Sequence, residues 1–464
     1  MYGPVKYFSF LTLIFILLLL IHACSDDEEM SSDLYADAGN DVNVLVGQPV
    51  SLNGNGSFDL QGNEFEFMWE FLSRPAGSTA VIQDQTSATP SFSPDVQGKY
   101  RIELTISNTS ESMDTVLVAA FSVENIEGEF ENIFPGPNVG IRDFVTACGE
   151  LFATCEFTEI GGIEAKKIAR YNGSGWNPVG CGLEEGSIYD MIVFRDELYV
   201  TGDFVEIGCI EANNIAKWDC NGWKALDGGL TGGDDPFGNA LEVYNDELYV
   251  GGRFTMAGDV QVVNIAKWDG MEWSAVGSLE NGSVRELVVY NQELYAGGFF
   301  DMADGVEANY IAVYNGSGWS SPGPMDNLQL GSTGVVKHMV VYDNLLFISG
   351  DFTSGGNDLS ELIFWDGSRF DDFGRAFSRF QDNVIYELSV VNNILYIGGE
   401  FTNVVGTRAN NILQWDGENW GILSEGISGT VLSIESFNGN TWIGGDFLEA
   451  GGQTAENISI WNEN

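Results

Sequence analysis

Positive charge and imidazole are what this chain has least of. Its 464 residues hold 19 Lys plus Arg against 68 Asp plus Glu, a formal charge of −49, with only two His. The acidic excess is spread along the whole chain and not gathered in a tail, so the surface repels phosphate backbones and anionic head groups, and nucleic acid is not an expected partner. Solubility of an exposed protein is the plain explanation for such a surface. Copper sites need imidazole ligands that are missing here. Ser-His-Asp or Cys-His systems could be assembled only around His338, and no GxSxG elbow stands beside it. Cysteine is scarce too: the six residues form no CxxC pair and no Cys/His grouping of the zinc type. What the chain does have is 44% hydrophobic and 12% aromatic residues, the composition of a folded protein long enough for more than one core.

The N-terminus reads as a targeting segment. Lys6 supplies a positive start, and the apolar run from Tyr7 to Ile21 is short and one-sidedly flanked for a transmembrane helix. It ends in Ile21-His22-Ala23-Cys24, which resembles the lipobox of bacterial lipoproteins, although His22 is unusual at its position. The resemblance implies a signal peptide over residues 1–23 and a lipid on the Cys24 thiol, the acyl chains holding the protein in the outer membrane. Ser25-Asp26-Asp27-Glu28-Glu29, inside an acidic linker over residues 24–33, is similar to the surface-export signal of Bacteroidetes lipoproteins. Without Cys24 the chain keeps Cys148, Cys155, Cys181, Cys209 and Cys220, an odd number, so one thiol stays unpaired unless it pairs outside the chain. An extracytoplasmic location permits disulfides among the rest, in an order that spacing does not reveal.

Residues 34–123 alternate apolar and polar positions, with turn signals every eight to twelve residues, as in Phe65-Glu66-Phe67-Met68-Trp69-Glu70-Phe71 and Tyr100-Arg101-Ile102-Glu103-Leu104. That pattern predicts an antiparallel sandwich with Trp69 in its core. The order of its parts, from Ala36-Asp37-Ala38-Gly39-Asn40-Asp41 to the Gly98-Lys99-Tyr100 strand, resembles the polycystic-kidney-disease (PKD) type of immunoglobulin-like domain, which implies a spacer or adhesive module. Asp41, Asp59 and Asn63 are the candidate ligands of a calcium ion, the one cofactor the residues leave open. Turn chemistry explains the same side chains.

From residue 127 to 464 one phrase returns seven times, anchored by Phe157, Phe204, Phe254, Phe300, Phe352, Phe401 and Phe447 at intervals of 46 to 52 residues. Its clearest copy runs Leu248-Tyr249-Val250-Gly251-Gly252-Arg253-Phe254, then Asn264-Ile265-Ala266-Lys267-Trp268-Asp269-Gly270 and Trp273. Four short strands per copy and a period in the forties predict an all-β chain in which the sandwich is followed by a seven-bladed β-propeller. The last copy stops before its fourth strand. Gly128-Glu129-Phe130-Glu131-Asn132 looks like the missing piece, with Phe130 in place of the blade tryptophan, so closure by an N-terminal strand is expected. The repeats resemble bacterial surface proteins grouped with Kelch-type and galactose-oxidase-like propellers, a likeness that implies fold and no particular activity.

No catalytic set is visible. Asp219, Asp269, Asp366 and Asp416 follow a blade tryptophan in copy after copy, and what every repeat shares reads as architecture. The connections that differ between repeats are the candidate binding rim: Asp234, Asp235 and Phe237 in one, and Arg375, Phe377, Arg379 and Phe380 in another, where scarce positive charge sits beside aromatics. The expected function is therefore a surface lipoprotein that binds glycan or protein ligands without turning them over. A propeller-type polysaccharide lyase or glycoside hydrolase is the alternative enzyme, and a structural subunit associated with other outer-membrane proteins the third possibility. Palmitate labelling should disappear in Cys24→Ala; labelling that persists would remove the anchor.

Overall fold

The computed structural model describes residues 34–463 apart from 309, 324–327, 331–334, 355–357, 373–383 and 405–406. Every regular element among them is a strand. Cys24 and the rim candidates Arg375, Phe377, Arg379 and Phe380 lie outside the described residues.

The N-terminal sandwich is built on a sheet in the order Val42–Leu45, Glu111–Phe121, Gly98–Ser107, Glu66–Ser73, parallel in its first pair and antiparallel in the others. Strand period two decides its inner face: Tyr100, Ile102, Leu104 and Ile106 are buried while the residues between them turn outward. Trp69 packs on them fully buried, with its indole nitrogen donating to Ser87 O at 3.1 Å. Leu34, Val50 and Phe92, from two short strand pairs, complete this core. The chain enters beside Ser112, where Ala36 N donates to Ser112 Oγ, and leaves after Phe121. Entry and exit are thus separated by most of the strand Glu111–Phe121, roughly 30 Å at strand rise.

Among the described residues, seven sheets of four or five strands follow, interspersed with smaller ones. Their first strands are Asp143–Ala147, Ile188–Phe194, Phe237–Tyr244, Ser283–Tyr290, Val336–Tyr342, Val384–Val391 and Ile427–Phe437. In the third sheet Phe237–Tyr244, Glu247–Arg253, Ile265–Trp268 and Trp273–Ala275 pair in that order, and the other sheets repeat the plan. Each first strand packs on the next, and Ile427–Phe437 packs on Asp143–Ala147. The paired glycines make this approach possible: a Cβ on Gly251 would meet Val284 Cγ1 at 2.4 Å, and one on Gly297 would meet Val336 Cγ1 at 2.4 Å. Where the second strand carries Thr201 instead, the next first strand supplies Gly238.

Asparagine links neighbouring sheets. Asn214, Asn264, Asn411 and Asn457 all adopt positive φ, a conformation asparagine tolerates better than most residues. From there each side-chain nitrogen donates to the segment leading into the next sheet, at Leu230 O, Leu279 O, Ile427 O and Pro137 O. The last of these joins the seventh sheet to the connection ahead of the first. The turn aspartates have a simpler duty, since Asp219, Asp269, Asp366 and Asp416 accept two backbone N–H bonds each within their own turns.

The fourth strand of the seventh sheet is Gly128–Asn132, antiparallel to Ile458–Glu463, with Phe130 opposite Trp461 and their rings 4.9 Å apart. Just before it, Val123–Ile126 adds itself in parallel to Trp420–Leu423 as a fifth strand of the sixth sheet. Phe121 packs edge-on against Trp415 at 5.3 Å, and Gln97 Nε2 donates to Glu418 O at 3.0 Å, so the sandwich is seated on that sheet. Deletion of residues 127–136 should lower the melting temperature by about 5 °C or more, as expected for a lost strand ladder and aromatic contact. Melting unchanged by the deletion would show that the seventh sheet stands without its N-terminal strand.

Candidate functional site

The register of the seven sheets brings one set of side chains to a common level. Opposite Thr154, Thr201, Gly251, Gly297, Ser349, Gly398 and Gly444 on the second strands stand Asp143, Asp190, Ala240, Glu286, His338, Glu387 and Ser433 on the first. Two residues further along, Glu242 and Glu435 add carboxyls from the first strands of the third and seventh sheets. Every first strand therefore contributes one carboxyl or imidazole to this set. His338 Nε2 lies 3.5 Å from Glu387 Oε2 and 4.0 Å from Glu286 Oε2, joining three sheets. Asp190 Oδ2 accepts Leu241 N at 2.6 Å, and Glu387 Oε1 accepts Ile434 N at 3.3 Å, both across sheet boundaries.

Burial dominates the electrostatics of this cluster. It pushes Asp190 and Glu242 up to about 7 and Glu387 to about 8, and it raises Glu435. Asp143 and Glu286 rise well above the carboxylate range, through burial first and then through the other acids of the cluster. Burial lowers His338 to about 4, leaving it a neutral imidazole. Two atoms shut off from solvent, Asp143 Oδ2 and His338 Nδ1, have no hydrogen-bond partner. Water still reaches part of the cluster, since the Glu286 and His338 side chains keep 22% and 27% exposure. Carboxyl groups that hold protons near neutrality, beside a neutral imidazole, can donate and accept protons. Among the described residues, no three His, Cys, Asp or Glu side chains are grouped to hold a metal ion.

One residue before this level, six of the seven first strands bulge. The extra residues are Tyr189, Asn239, Arg285, Lys337, Tyr386 and Leu432. A bulge turns its residue out of the ladder, which is how sheets aim side chains at a rim. Arg142 holds the corresponding place in the first sheet, with its guanidinium 5.3 Å from the Tyr189 ring. Cations, phenols and an amide thus stand one residue before the acidic level along the first strands. Nearby on the same rim, a cleft of about 750 Å³ is lined by Glu184, Glu185, Asp203 and Glu206 and by Cys181 and Cys209.

The residues singled out from sequence fare unevenly. Phe237 opens the third first strand and meets Tyr189 edge-on at 6.0 Å, which places it at the bulged rim. Asp234 takes part through its backbone, its carbonyl accepting Arg253 Nη2 at 2.6 Å, and Asp235 is exposed at positive φ. Of the calcium candidates, Asp59 and Asn63 stand beside one another, while Asp41 bonds elsewhere on the sandwich. Asp41 Oδ1 accepts Leu117 N at 2.8 Å, whereas Asp59 accepts Gln61 N at 2.7 Å and Asn108 Nδ2 at 2.8 Å near the other end of the same long strands. Asn63 Nδ2 donates to Asp59 Oδ1 at 3.4 Å within the same turn. Cysteine pairing resolves to Cys148–Cys220 and Cys181–Cys209, both joining the first sheet to the second, with Cys155 free. Sequence inspection picked out His338 but passed over its carboxyl neighbours, because each occupies the shared position in its own repeat only.

Residues 38–119 match a family model of the PKD domain, so the N-terminal sandwich is a PKD domain. No curated protein matches the chain. Among solved structures the chain is similar to a nucleoside hydrolase-related hypothetical protein from Saccharophagus degradans associated with carbohydrate metabolism, with 21% identity over 19% of this chain and 22% of that one, at a TM-score of 0.16. It is similar to the extracellular domain of a protein described as a putative one-component system of B. thetaiotaomicron, with 13% identity over 72% of this chain and 40% of that one, TM-score 0.45. The solution structure of the PKD domain from KIAA 1837 protein is matched at 24% identity over 18% of this chain and 83% of that one, TM-score 0.17. The chain thus spans under half the length of the first two.

Proposed function

We propose that this chain is a surface lipoprotein of the outer membrane, in which the PKD domain holds a seven-bladed β-propeller away from the Cys24 anchor and the propeller rim binds a glycan or protein ligand. The observation that carries the reading is the repeated bulge. Six first strands present Tyr189, Asn239, Arg285, Lys337, Tyr386 and Leu432 at one level, an assembly of ring faces, an amide and cations suited to sugar hydroxyls and acidic substituents. Chain entry and exit at opposite ends of the sandwich suit a spacer, and two disulfides suit an oxidising compartment. The connection from Val123–Ile126 on the sixth sheet to Gly128–Asn132 on the seventh supports closure by the N-terminal strand.

The arrangement of Glu286, His338 and Glu387 favours a second reading, a lyase or hydrolase acting on a polysaccharide that reaches the cluster where the first strands meet, in which a protonated carboxyl serves as the acid. A glycan array and a panel of plant and algal polysaccharides separate the two. Binding without turnover is expected, weakened about tenfold in Tyr386→Ala, the size of one aromatic contact of about 1.4 kcal/mol. Turnover lost in Glu387→Gln would favour the enzyme. Binding to no glycan together with co-purification in an outer-membrane complex would replace both with a structural role.

A further inference from the structure

Seven sheets that meet at their first strands need something to hold each junction, and the polar contacts are distributed one junction at a time. Between the second and third sheets, Asp190 accepts Leu241 N; between the third and fourth, Asn239 Nδ2 donates to Arg285 O at 2.9 Å. His338 stands between Glu286 of the fourth sheet and Glu387 of the sixth. Glu387 accepts Ile434 N and Ser389 Oγ donates to Ile434 O between the sixth and seventh, and Phe144 N donates to Ser433 Oγ at 2.9 Å between the seventh and first. Carboxyl side chains take part at four of these junctions or sit against them.

We propose that Asp143, Asp190, Glu242, Glu286, His338, Glu387 and Glu435 form a proton-operated latch: with protons shared among the carboxyls the first strands stay drawn together, and with the protons lost, like charges on facing strands loosen the ring. Beside the cluster's own members, the ionisable groups next to them along the first strands are Tyr189, Arg285, Lys337 and Tyr386, with Arg142 just ahead of Asp143 and buried Glu361 paired to Lys337. The second-strand residues opposite its first level, Thr154, Thr201, Gly251, Gly297, Ser349, Gly398 and Gly444, carry no charge. The nearest cations are engaged elsewhere or exposed. Lys337 is paired with Asp351 at 3.3 Å and Glu361 at 3.0 Å, Arg142 lies over Tyr189, and Arg285 is turned to solvent. Among the described residues, none of these three cations forms an ion pair with a carboxyl of the cluster.

The direction follows from linkage. Asp190, Glu242 and Glu387 hold their protons to about 7 or 8 in the folded chain, against about 4 in an unfolded one. A raised acid contributes stability that is complete below its unfolded value and is lost as pH rises through the folded one. His338, lowered to about 4, runs the other way: its contribution is present above about 6.5 and fades as pH falls to 4. Between pH 6 and 9 the surface carboxylates are already ionised in both states, so the change in stability across that window belongs to the latch, apart from what the free Cys155 thiol, raised by burial, adds above about pH 8.5. The bulged residues Tyr189, Arg285, Lys337 and Tyr386 each precede a latch residue in the chain, so opening the ring would also spread the rim, although the latch does not depend on what the rim binds.

The test is thermal unfolding of the full chain by near-ultraviolet circular dichroism from pH 6 to pH 9. The melting temperature is expected to fall by about 5 to 10 °C across the window, and Glu286→Gln combined with Glu387→Gln is expected to remove about half of that fall. Glu206→Gln with Glu211→Gln, on an exposed hairpin, should leave it unchanged. A flat wild-type profile, or a double variant with the wild-type slope, would overturn the latch. Should the double variant fail to fold, the wild-type chain still decides: unfolding at pH 7.5 in weak buffer is expected to release protons, and proton uptake or no exchange would overturn the proposal.

Discussion

A β-strand with a bare edge exposes a row of unpaired amides and carbonyls, and in this chain the seam at the seventh sheet is where that problem is met. Ile458–Glu463 would be such an edge, and Gly128–Asn132 covers it by pairing all five of its residues. Much follows from this contact. Because the covering strand comes from ahead of the first sheet, the seventh and first sheets are held side by side, and Asn457 can reach Pro137 as its counterparts reach the next connection elsewhere. Because residues 128–132 are fixed there, the short segment before them is drawn across the sixth sheet, where Val123–Ile126 pairs with Trp420–Leu423. The sandwich is therefore seated by a strand on its way to the seam.

Much of this was legible in the sequence, and the reasons differ from element to element. The repeat phenylalanines Phe157, Phe204, Phe254, Phe300, Phe401 and Phe447 are buried, and Phe130 does face Trp461, because a pattern repeated with a fixed period records the packing that every copy shares. Val123–Ile126 escaped because four residues between two domains have no period of their own, and their parallel pairing depends on a partner nearly 300 positions away. The bulges escaped for a related reason: one extra residue in a strand has no composition, and Tyr189, Asn239, Arg285 and Lys337 look like unrelated residues until the register aligns them. Asp41, Asp59 and Asn63 read either way from sequence because turn residues and calcium ligands are the same residue types, and only the strands show that Asp41 bonds at Leu117 whereas Asp59 bonds at Asn108.

Charge is distributed with a logic that the net value conceals. An excess of acid across the surface costs little where water screens it, whereas the same groups brought together where the first strands meet cost desolvation and mutual repulsion. Burial is the first cause that raises each of those carboxyls, to about 7 for Asp190 and Glu242 and about 8 for Glu387. Scarce cations are used on the rim just outside, where Arg142 and Lys337 meet an aromatic ring and two carboxylates.

The two disulfides add a covalent tie to what holds the sheets together. Both lie at the junction of the first and second sheets, Cys148–Cys220 closing a separation of 72 residues and Cys181–Cys209 one of 28, each enough for about 4 kcal/mol if chain entropy alone is counted. This is also the junction where Asp143 and Asp190 confront one another: Asp190 is the first charge acting on Asp143, whose Oδ2 has no hydrogen-bond partner. The other junctions either pass a hydrogen bond between first strands or place His338 between two carboxyls. Where the polar contact is a repulsion instead, the sheets are tied covalently, and a bond that does not titrate can hold that junction closed while the remaining ones respond to protons.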